Sequence, residues 1–136
     1  MESVMARGSD ELTPVSAVGA QVLAAGLLGM GALFAAAPGL ASRVFGLPAG
    51  REAWPYVRAL AFRDLAVSTA LLAASRGRAG PLRWLAASVA LIPMADAAMV
   101  AAKRGRRGAP SVALHGVAGV ALVALAASTF LKPRRR

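Results

Sequence analysis

Four ionisable side chains, those of Arg63, Asp64, Asp96 and His115, lie within stretches that are otherwise apolar. Two carboxyl groups suffice for acid–base chemistry when one is ionised as the base and burial keeps the other protonated as the acid. A neighbouring guanidinium holds the ionised carboxylate in place. The same residue types also suit a structural ion pair that fixes the register of two helices. A catalytic or ligand-binding site and a structural clamp are therefore both open.

The chain contains four apolar stretches long enough to cross a lipid bilayer, two without Asp, Glu, Lys or Arg and, between them, two that do carry charge. Residues 15–42 and 108–131 contain no Asp, Glu, Lys or Arg, and 57% of the 136 residues are apolar, with a mean hydropathy of +0.59. About 20 helical residues, at ~1.5 Å each, cross the hydrocarbon of a bilayer. We therefore predict an all-α fold, an integral membrane bundle of four transmembrane helices.

Proline marks where the predicted helices begin, because a first-turn residue has no helical N–H bond to lose. Each apolar stretch starts at or next to a proline, which predicts helices over about residues 14–37, 54–75, 81–102 and 110–131. A polar N-terminal tail, residues 1–13, precedes this four-span domain, and a basic C-terminal tail, residues 132–136, follows it. The length of the first stretch favours a retained span over a cleaved signal sequence.

The net charge of +10, from 16 basic and 6 acidic residues, suits either a nucleic-acid-binding protein or a membrane protein with basic loops. The basic residues lie mostly in predicted loops and tails and are not interleaved with aromatic residues, so we predict the lipid bilayer as partner and no nucleic acid. A homo-oligomer stays open. The eight basic residues on the side of the termini, against six on the other, predict a multi-pass cell-membrane protein with cytoplasmic termini. The chain has no cysteine and one histidine, and no metal site or cofactor is predicted.

The ionisable residues fall in the same half of the bilayer when the predicted helices lie side by side. Counted from the face that carries the first and third connections, Arg63 and Asp64 lie about 13–15 Å deep, Asp96 about 10 Å, His115 about 7 Å and Arg58 about 6 Å. A mid-helix charge in a bilayer costs at least ~2.5–3.5 kcal/mol, so we predict an ion pair between Arg63 and Asp96. Adjacent residues of a helix point about 100° apart. We therefore predict that Asp64 pairs with His115 or Arg58 and not with Arg63.

Three further residues are candidates for ligand binding: Tyr56, Arg58 and Pro93. Pro93 lies three residues before Asp96 and deprives the Val89 carbonyl of its helical hydrogen bond, which predicts a kink that opens the third helix. Tyr56 equally suits an anchor in the aromatic belt of a membrane protein.

Small residues predict which helices approach closely. Glycines fall along a stripe of the first helix and a strip of the fourth: Gly19, Gly26 and Gly29, and Gly116 and Gly119. We therefore predict contact between the first and fourth helices. The connection at residues 38–51 carries several large apolar residues and suits a short amphipathic turn at the interface.

Several short motifs occur in a characteristic order: residues 37–39 (Ala-Pro-Gly), 45–48 (Phe-Gly-Leu-Pro), 56–65 (YVRALAFRDL), 92–96 (IPMAD) and 114–116 (Leu-His-Gly). Over about residues 15–131 this order resembles a family of small four-helix integral membrane proteins that carry a domain of unknown function. The resemblance implies a four-span protein and marks Arg63, Asp64, Asp96 and His115 as its matching polar positions. It implies no activity.

Three functions are consistent with these features. In the first, the polar cluster binds a small lipophilic ligand or clamps the bundle. In the second, a membrane-embedded acid–base enzyme acts on an apolar substrate, by epoxide hydrolysis, isomerisation or cyclisation. The third, an ion- or proton-coupled transporter, is disfavoured because no inverted repeat is detectable. A cavity of about 300 Å³ or more beside the carboxyl groups would favour a ligand, and a closed, fully paired cluster would favour the clamp.

Overall fold

The chain forms four long helices and one short one in a computed structural model that describes residues 10–45, 47 and 50–131. The long helices are α1 (Pro14–Ala36), α3 (Trp54–Ala74), α4 (Ala79–Arg104) and α5 (Ala109–Ser128), and the short one is α2 (Pro38–Phe45). Two 3-10 turns, Arg51–Ala53 and Gly105–Gly108, precede α3 and α5. The described residues contain no β-strand, and the predicted all-α fold is confirmed.

The four long helices occupy nearly the ranges predicted from the proline positions. Pro14 stands in the first turn of α1, where the hydroxyl of the N-cap residue Thr13 accepts the Ser16 N–H at 3.1 Å. Helix α4 begins earlier than predicted, at Ala79, two residues before its proline. Most of the predicted tails, residues 1–9 and 132–136, lies outside the described residues.

The helices pack as two pairs, α1 with α3 and α4 with α5. The predicted contact between α1 and α5 is present where the Ser16 and Ser128 hydroxyls lie 3.0 Å apart, but α1 packs mainly on α3. The close approach of α1 to α3 is made at Gly31, where an added Cβ would lie 3.0 Å from Leu65 Cγ. On α5, Gly119 faces α4, since an added Cβ would lie 2.9 Å from Met94 Cγ. An added Cβ at Gly26, Gly29 or Gly116 would have no neighbour within 4 Å, and of the predicted α1 stripe Gly19 alone faces α5.

The two pairs join at the end of the bundle that carries the α3–α4 connection. A core of small and aliphatic residues from all four long helices fills this end: Ala20, Ala24, Leu71, Leu82, Ala86, Val89, Ala90, Leu122, Leu125 and Ala126. The hydroxyls of Ser16 and Ser128 lie 3.0 Å apart there, and the Asp10 carboxylate accepts the Gly80 N–H at 2.9 Å. Residues 10–13, predicted as tail, are thus attached to the bundle.

At the opposite end of the bundle, the short helix α2 packs on the α1–α3 pair. A second core of Phe34, Ala41, Val57 and Ala61 packs α2 against α1 and α3, and the Phe34 and Phe45 rings meet edge to face at 5.0 Å. The short amphipathic turn predicted at residues 38–51 is this helix α2. This second core contains no residue of α4 or α5. It therefore does not join the two helix pairs at this end of the bundle.

Within the described residues, two helical segments are long and apolar enough to cross a membrane. They are Pro14–Ala36 and the continuous stretch Ala79–Ser128, and 22% of the most apolar window of each is buried. The second stretch contains both α4 and α5, which fold back on each other at Gly105–Gly108. Helix α3 is not one of these segments, because it carries three charged residues, Arg58, Arg63 and Asp64.

Candidate functional site

A cavity of about 100 Å³ lies between the two helix pairs. All four ionisable residues singled out from the sequence line it, namely Arg63 and Asp64 from α3, Asp96 from α4 and His115 from α5. The rest of its wall is apolar and comes from all five helices: Leu27, Met30, Phe34, Phe45, Val67, Val89, Ile92, Pro93, Leu114, Ala118 and Leu122. The structure therefore brings the polar residues of three helices to one apolar cavity.

Arg63 contacts both carboxyl groups of the cavity. Its Nε donates to Asp64 Oδ1 at 3.0 Å, and its Nη1 donates to Asp96 Oδ2 at 3.5 Å. The predicted pairing of Arg63 with Asp96 is confirmed. The prediction that Arg63 and Asp64 do not pair is wrong, because the long arginine side chain bends back far enough to reach the neighbouring face of α3.

The two carboxyl groups differ in their surroundings. The Asp64 side chain is 6% exposed, whereas that of Asp96 is 23% exposed and that of Arg63 is 33% exposed. Asp64 therefore combines the shorter bond with the greater burial. Arg63 uses one oxygen of each carboxyl group, so Asp64 Oδ2 and Asp96 Oδ1 are left for another donor.

His115 lines the cavity without an ion pair to either aspartate among the described residues. Asp64 thus takes Arg63 as its partner, and neither of the two partners predicted for it. The other predicted partner, Arg58, is exposed and does not line the cavity. Tyr56 is 76% exposed and also lies outside the lining. These positions suit a surface role, such as the aromatic belt considered for Tyr56.

Pro93 is buried in the cavity wall, three residues before Asp96 on α4. The helix continues through it, so the predicted opening of α4 does not interrupt the helix. Since proline has no N–H, the carbonyl of Val89, a second lining residue, has no donor one turn later. Of the three ligand-binding candidates, Pro93 alone lines the cavity.

Sequence reasoning did not find the side of the wall that α1 and α2 supply. Met30 and Phe34 come from α1 and Phe45 from α2. Phe34 and Phe45 are the only aromatic residues between positions 14 and 53. Their isolation among small and aliphatic residues was the one sequence feature that could have indicated this side of the wall. The uncharged pattern of α1 does not distinguish its buried face from its exposed face.

The cavity combines a small volume with unused hydrogen-bonding groups. Its volume of about 100 Å³ is below the ~300 Å³ of ordinary ligand pockets, but it is large enough for a small polar group or water molecules. No group of three His, Cys, Asp or Glu residues suited to a metal ion occurs in the described part of the chain. The arrangement is chemically able to bind a polar group in apolar surroundings or to transfer a proton between two carboxyl groups.

A family model described as "Domain of unknown function (DUF4267)" matches residues 24–129. The matched range contains every residue that lines the cavity, since these extend from Leu27 to Leu122. No curated protein and no solved structure matches this chain. The cavity thus lies wholly within the domain that the family model describes.

Proposed function

Because this chain belongs to the DUF4267 family, whose description names no activity, we propose its function from the structure of its cavity. We propose a four-span protein of the cell membrane that binds a small lipophilic molecule between its helix pairs. Arg63, Asp64, Asp96 and His115 hold the polar part of that molecule. The observation that carries the proposal is the placement of these four residues, from three helices, around one apolar cavity.

The membrane location is supported by how little of the apolar surface is buried. In a soluble protein, an apolar helix of this length is mostly buried in the core, whereas 22% of each candidate window is buried here. Large apolar side chains are exposed along α1, α4 and α5, including Val22 at 64%, Leu91 at 67% and Val120 at 70%. The hydrocarbon of a bilayer is a favourable surrounding for such an apolar surface, whereas its exposure to water is unfavourable.

Four crossings are supported by helix length and by the fold-back of α4 on α5. The four long helices have 23, 21, 26 and 20 residues, and about 20 residues suffice to cross the hydrocarbon. The charges that lower the hydropathy of α3 are Arg58, near its start, and the pair Arg63 and Asp64, which faces the cavity. A charge turned inward and paired is the usual form of an intramembrane ionisable residue.

Ligand binding is favoured over a purely structural clamp by the incomplete pairing of the cluster. A clamp needs no space and leaves no hydrogen-bonding group free. Here Arg63 bonds to one oxygen of each carboxyl group, and His115 faces the same space without an ion pair in the described structure. These free groups are available to a ligand that arrives from the lipid.

The test is labelling with dicyclohexylcarbodiimide, a lipid-soluble reagent that adds to protonated carboxyl groups in apolar sites, the carboxyl proton going to a nitrogen of the reagent. We expect it to modify Asp64 or Asp96 in vesicles, as located by peptide mass spectrometry, and the double variant Asp64→Asn, Asp96→Asn to remain unmodified there. Glu52, an exposed carboxylate outside the cavity, gives the matched control, since Glu52→Gln leaves the labelling of α3 and α4 unchanged. An unlabelled α3 and α4 in the wild type would contradict the proposal, because a lipophilic molecule would then not reach the cavity.

A second candidate function is a membrane-embedded acid–base enzyme. The specific observation in its favour is that one guanidinium contacts two carboxyl groups of unequal burial, at 3.0 and 3.5 Å. Such an arrangement keeps one carboxylate ionised as a base for water while the other donates a proton, as in the opening of an epoxide. Hydration of 1,2-epoxyoctane by the purified protein, lost in both Asp64→Asn and Asp96→Asn, is the result expected of this enzyme.

A further inference from the structure

We infer that the ligand of this cavity is a single-chain amphiphile whose head is a protonated amine and whose tail leaves the cavity between α1 and α5. The inference rests on the proposed function and adds to it the chemical class of the ligand and the path by which the ligand enters. It is carried by the charges in the cavity, by the size of the cavity and by the positions of the contacts between the helix pairs.

The charges of the cavity are unbalanced. The ion pairs in the described structure place one guanidinium, Arg63, between two carboxyl groups, and none joins His115 to either aspartate. With His115 counted as neutral, one positive charge offsets one negative charge, so a second cation or a proton is needed to balance both carboxylates. A protonated amine supplies that charge together with up to three N–H donors.

Asp96 is the residue that faces this amine. Its bond to Arg63 is the longer one, at 3.5 Å, and its side chain is 23% exposed, against 6% for Asp64. Asp64 is already held at 3.0 Å by Arg63. An ammonium group that bonds to Asp96 therefore competes with the longer of the two Arg63 bonds. The second oxygen of Asp64 belongs to the wall of the same cavity and is a further acceptor.

The size of the cavity limits the part of the ligand that it encloses. A volume of about 100 Å³ is smaller than the ~150 Å³ of an apolar cavity that holds benzene. It suits an ammonium group and the first carbons of a chain, and the rest of the chain must extend beyond it. The α1 side of the wall is apolar, at Met30 and Phe34, and on the α5 side Leu114 lies beside the polar His115.

The α1–α5 side of the cavity is the side on which a tail can leave. At the level of the cavity, the Arg63–Asp96 bond joins the pairs on the α3–α4 side. The hydrogen bond between α1 and α5 in the described structure lies at the other end of the bundle, where the Ser16 and Ser128 hydroxyls are 3.0 Å apart. Opening the α1–α5 side beside Met30 and Leu114 therefore breaks no hydrogen bond of the described structure.

The first experiment compares three probes of equal chain length, n-octylammonium, 1-octanol and octanoate, by equilibrium binding to the full chain in nanodiscs of neutral lipid. We expect octylammonium to bind best, and Asp96→Asn to weaken its binding about ten- to hundredfold, the value of one hydrogen bond between charged groups. Glu52→Gln, which removes a carboxylate outside the cavity, is the matched control and keeps wild-type binding.

The outcomes separate this inference from the proposed function. If octanol or octanoate binds as tightly as octylammonium to the wild type, the cationic head is wrong and lipophilic binding stands. If Asp96→Asn keeps wild-type affinity for octylammonium, Asp96 is not the partner of the head and the inference fails. If none of the three probes binds, the proposed function fails with it.

The second experiment tests the α1–α5 path by cross-linking, which is specific because the chain has no cysteine of its own. We expect the variant Met30→Cys, Leu114→Cys to lose octylammonium binding once a flexible bis-maleimide joins the two thiols. The variant Ser16→Cys, Ser128→Cys joins the same two helices at the remote end and keeps binding when cross-linked. Unchanged binding in the first variant would overturn the assigned path.

Discussion

Arg63 makes unequal bonds to its two partners, and that inequality sets what each aspartate contributes. Asp64 is the closer and more buried partner, whereas Asp96 is farther, more exposed and on the other helix pair. Asp64 therefore mainly keeps the guanidinium in the cavity, and Asp96 mainly joins the pairs. Stability measurements on single variants distinguish the two roles.

We expect Asp64→Ala to lower the free energy of unfolding by about 3 kcal/mol and Asp96→Ala by about 1.5 kcal/mol, the two ends of the range for hydrogen bonds to charged groups. In each variant Arg63 keeps one partner, so neither loss reaches the full cost of an unpaired buried charge. Unfolding followed by circular dichroism in one detergent gives both values. A larger loss in Asp96→Ala than in Asp64→Ala would reverse the assignment.

Replacing two or three of the charged residues together shows whether the cluster raises or lowers the stability of the bundle. The double variant Arg63→Leu, Asp96→Leu leaves Asp64, which is 6% exposed, without its partner. The triple variant, with Asp64→Leu added, leaves no aspartate or arginine in the cavity wall. We therefore expect the triple variant to unfold at a higher temperature than the double variant, because buried charges are better replaced together than one by one. The opposite order would mean that Asp64 bonds to another group in the double variant.

At the scale of elements, α1 and α3 approach closely at Gly31, where no side chain separates the two helices. Gly31 faces Leu65 and the Ala61 carbonyl at 3.0 and 3.1 Å from an added Cβ, whereas Gly29, on the same helix, faces open space. The two glycines have the same helix propensity and differ in packing alone. They form a matched pair for testing the interface.

We expect Gly31→Leu to lower the free energy of unfolding by about 1–3 kcal/mol through overpacking, and Gly29→Leu to leave it unchanged or raise it slightly. Thermal unfolding of both variants in the same detergent measures the difference. Equal stability of the two variants would show that α1 and α3 are not in close contact at Gly31.

At the scale of the whole molecule, the two helix pairs are joined firmly at one end and by the Arg63–Asp96 bond near the cavity. The proposed membrane location places this cavity in the half of the bilayer next to the α4–α5 turn. That turn carries Lys103, Arg104, Arg106 and Arg107, all of them exposed.

The proposed topology predicts the compartment of each connection. We expect reporter fusions after Ser75 and after Arg136 to give the same, cytoplasmic signal, and a fusion after Gly105 to give the opposite one, because an even number of spans returns the chain to its first side. Opposite signals from Ser75 and Arg136 would exclude four crossings.

Features that depend on neighbouring residues along the chain were determined by the sequence itself. Proline positions and uncharged stretches placed four helices within a few residues of their observed bounds, because helix starts and apolar length are local properties. The Arg63–Asp96 bond was also predictable, since rise per residue converts sequence position into depth along parallel helices.

Features that depend on how helices turn about their own axes were decided by the tertiary structure alone. α1 and α5 contain no Asp, Glu, Lys or Arg, so their sequences do not specify which face is buried, and the close contact of Gly31 with Leu65 between α1 and α3 is known only from the packed structure. The Arg63–Asp64 bond came from the bend of a flexible side chain, which the angle between adjacent helix positions does not determine. The α1 and α2 sides of the cavity followed from the same packing, because Met30, Phe34 and Phe45 line it only once the two pairs have met.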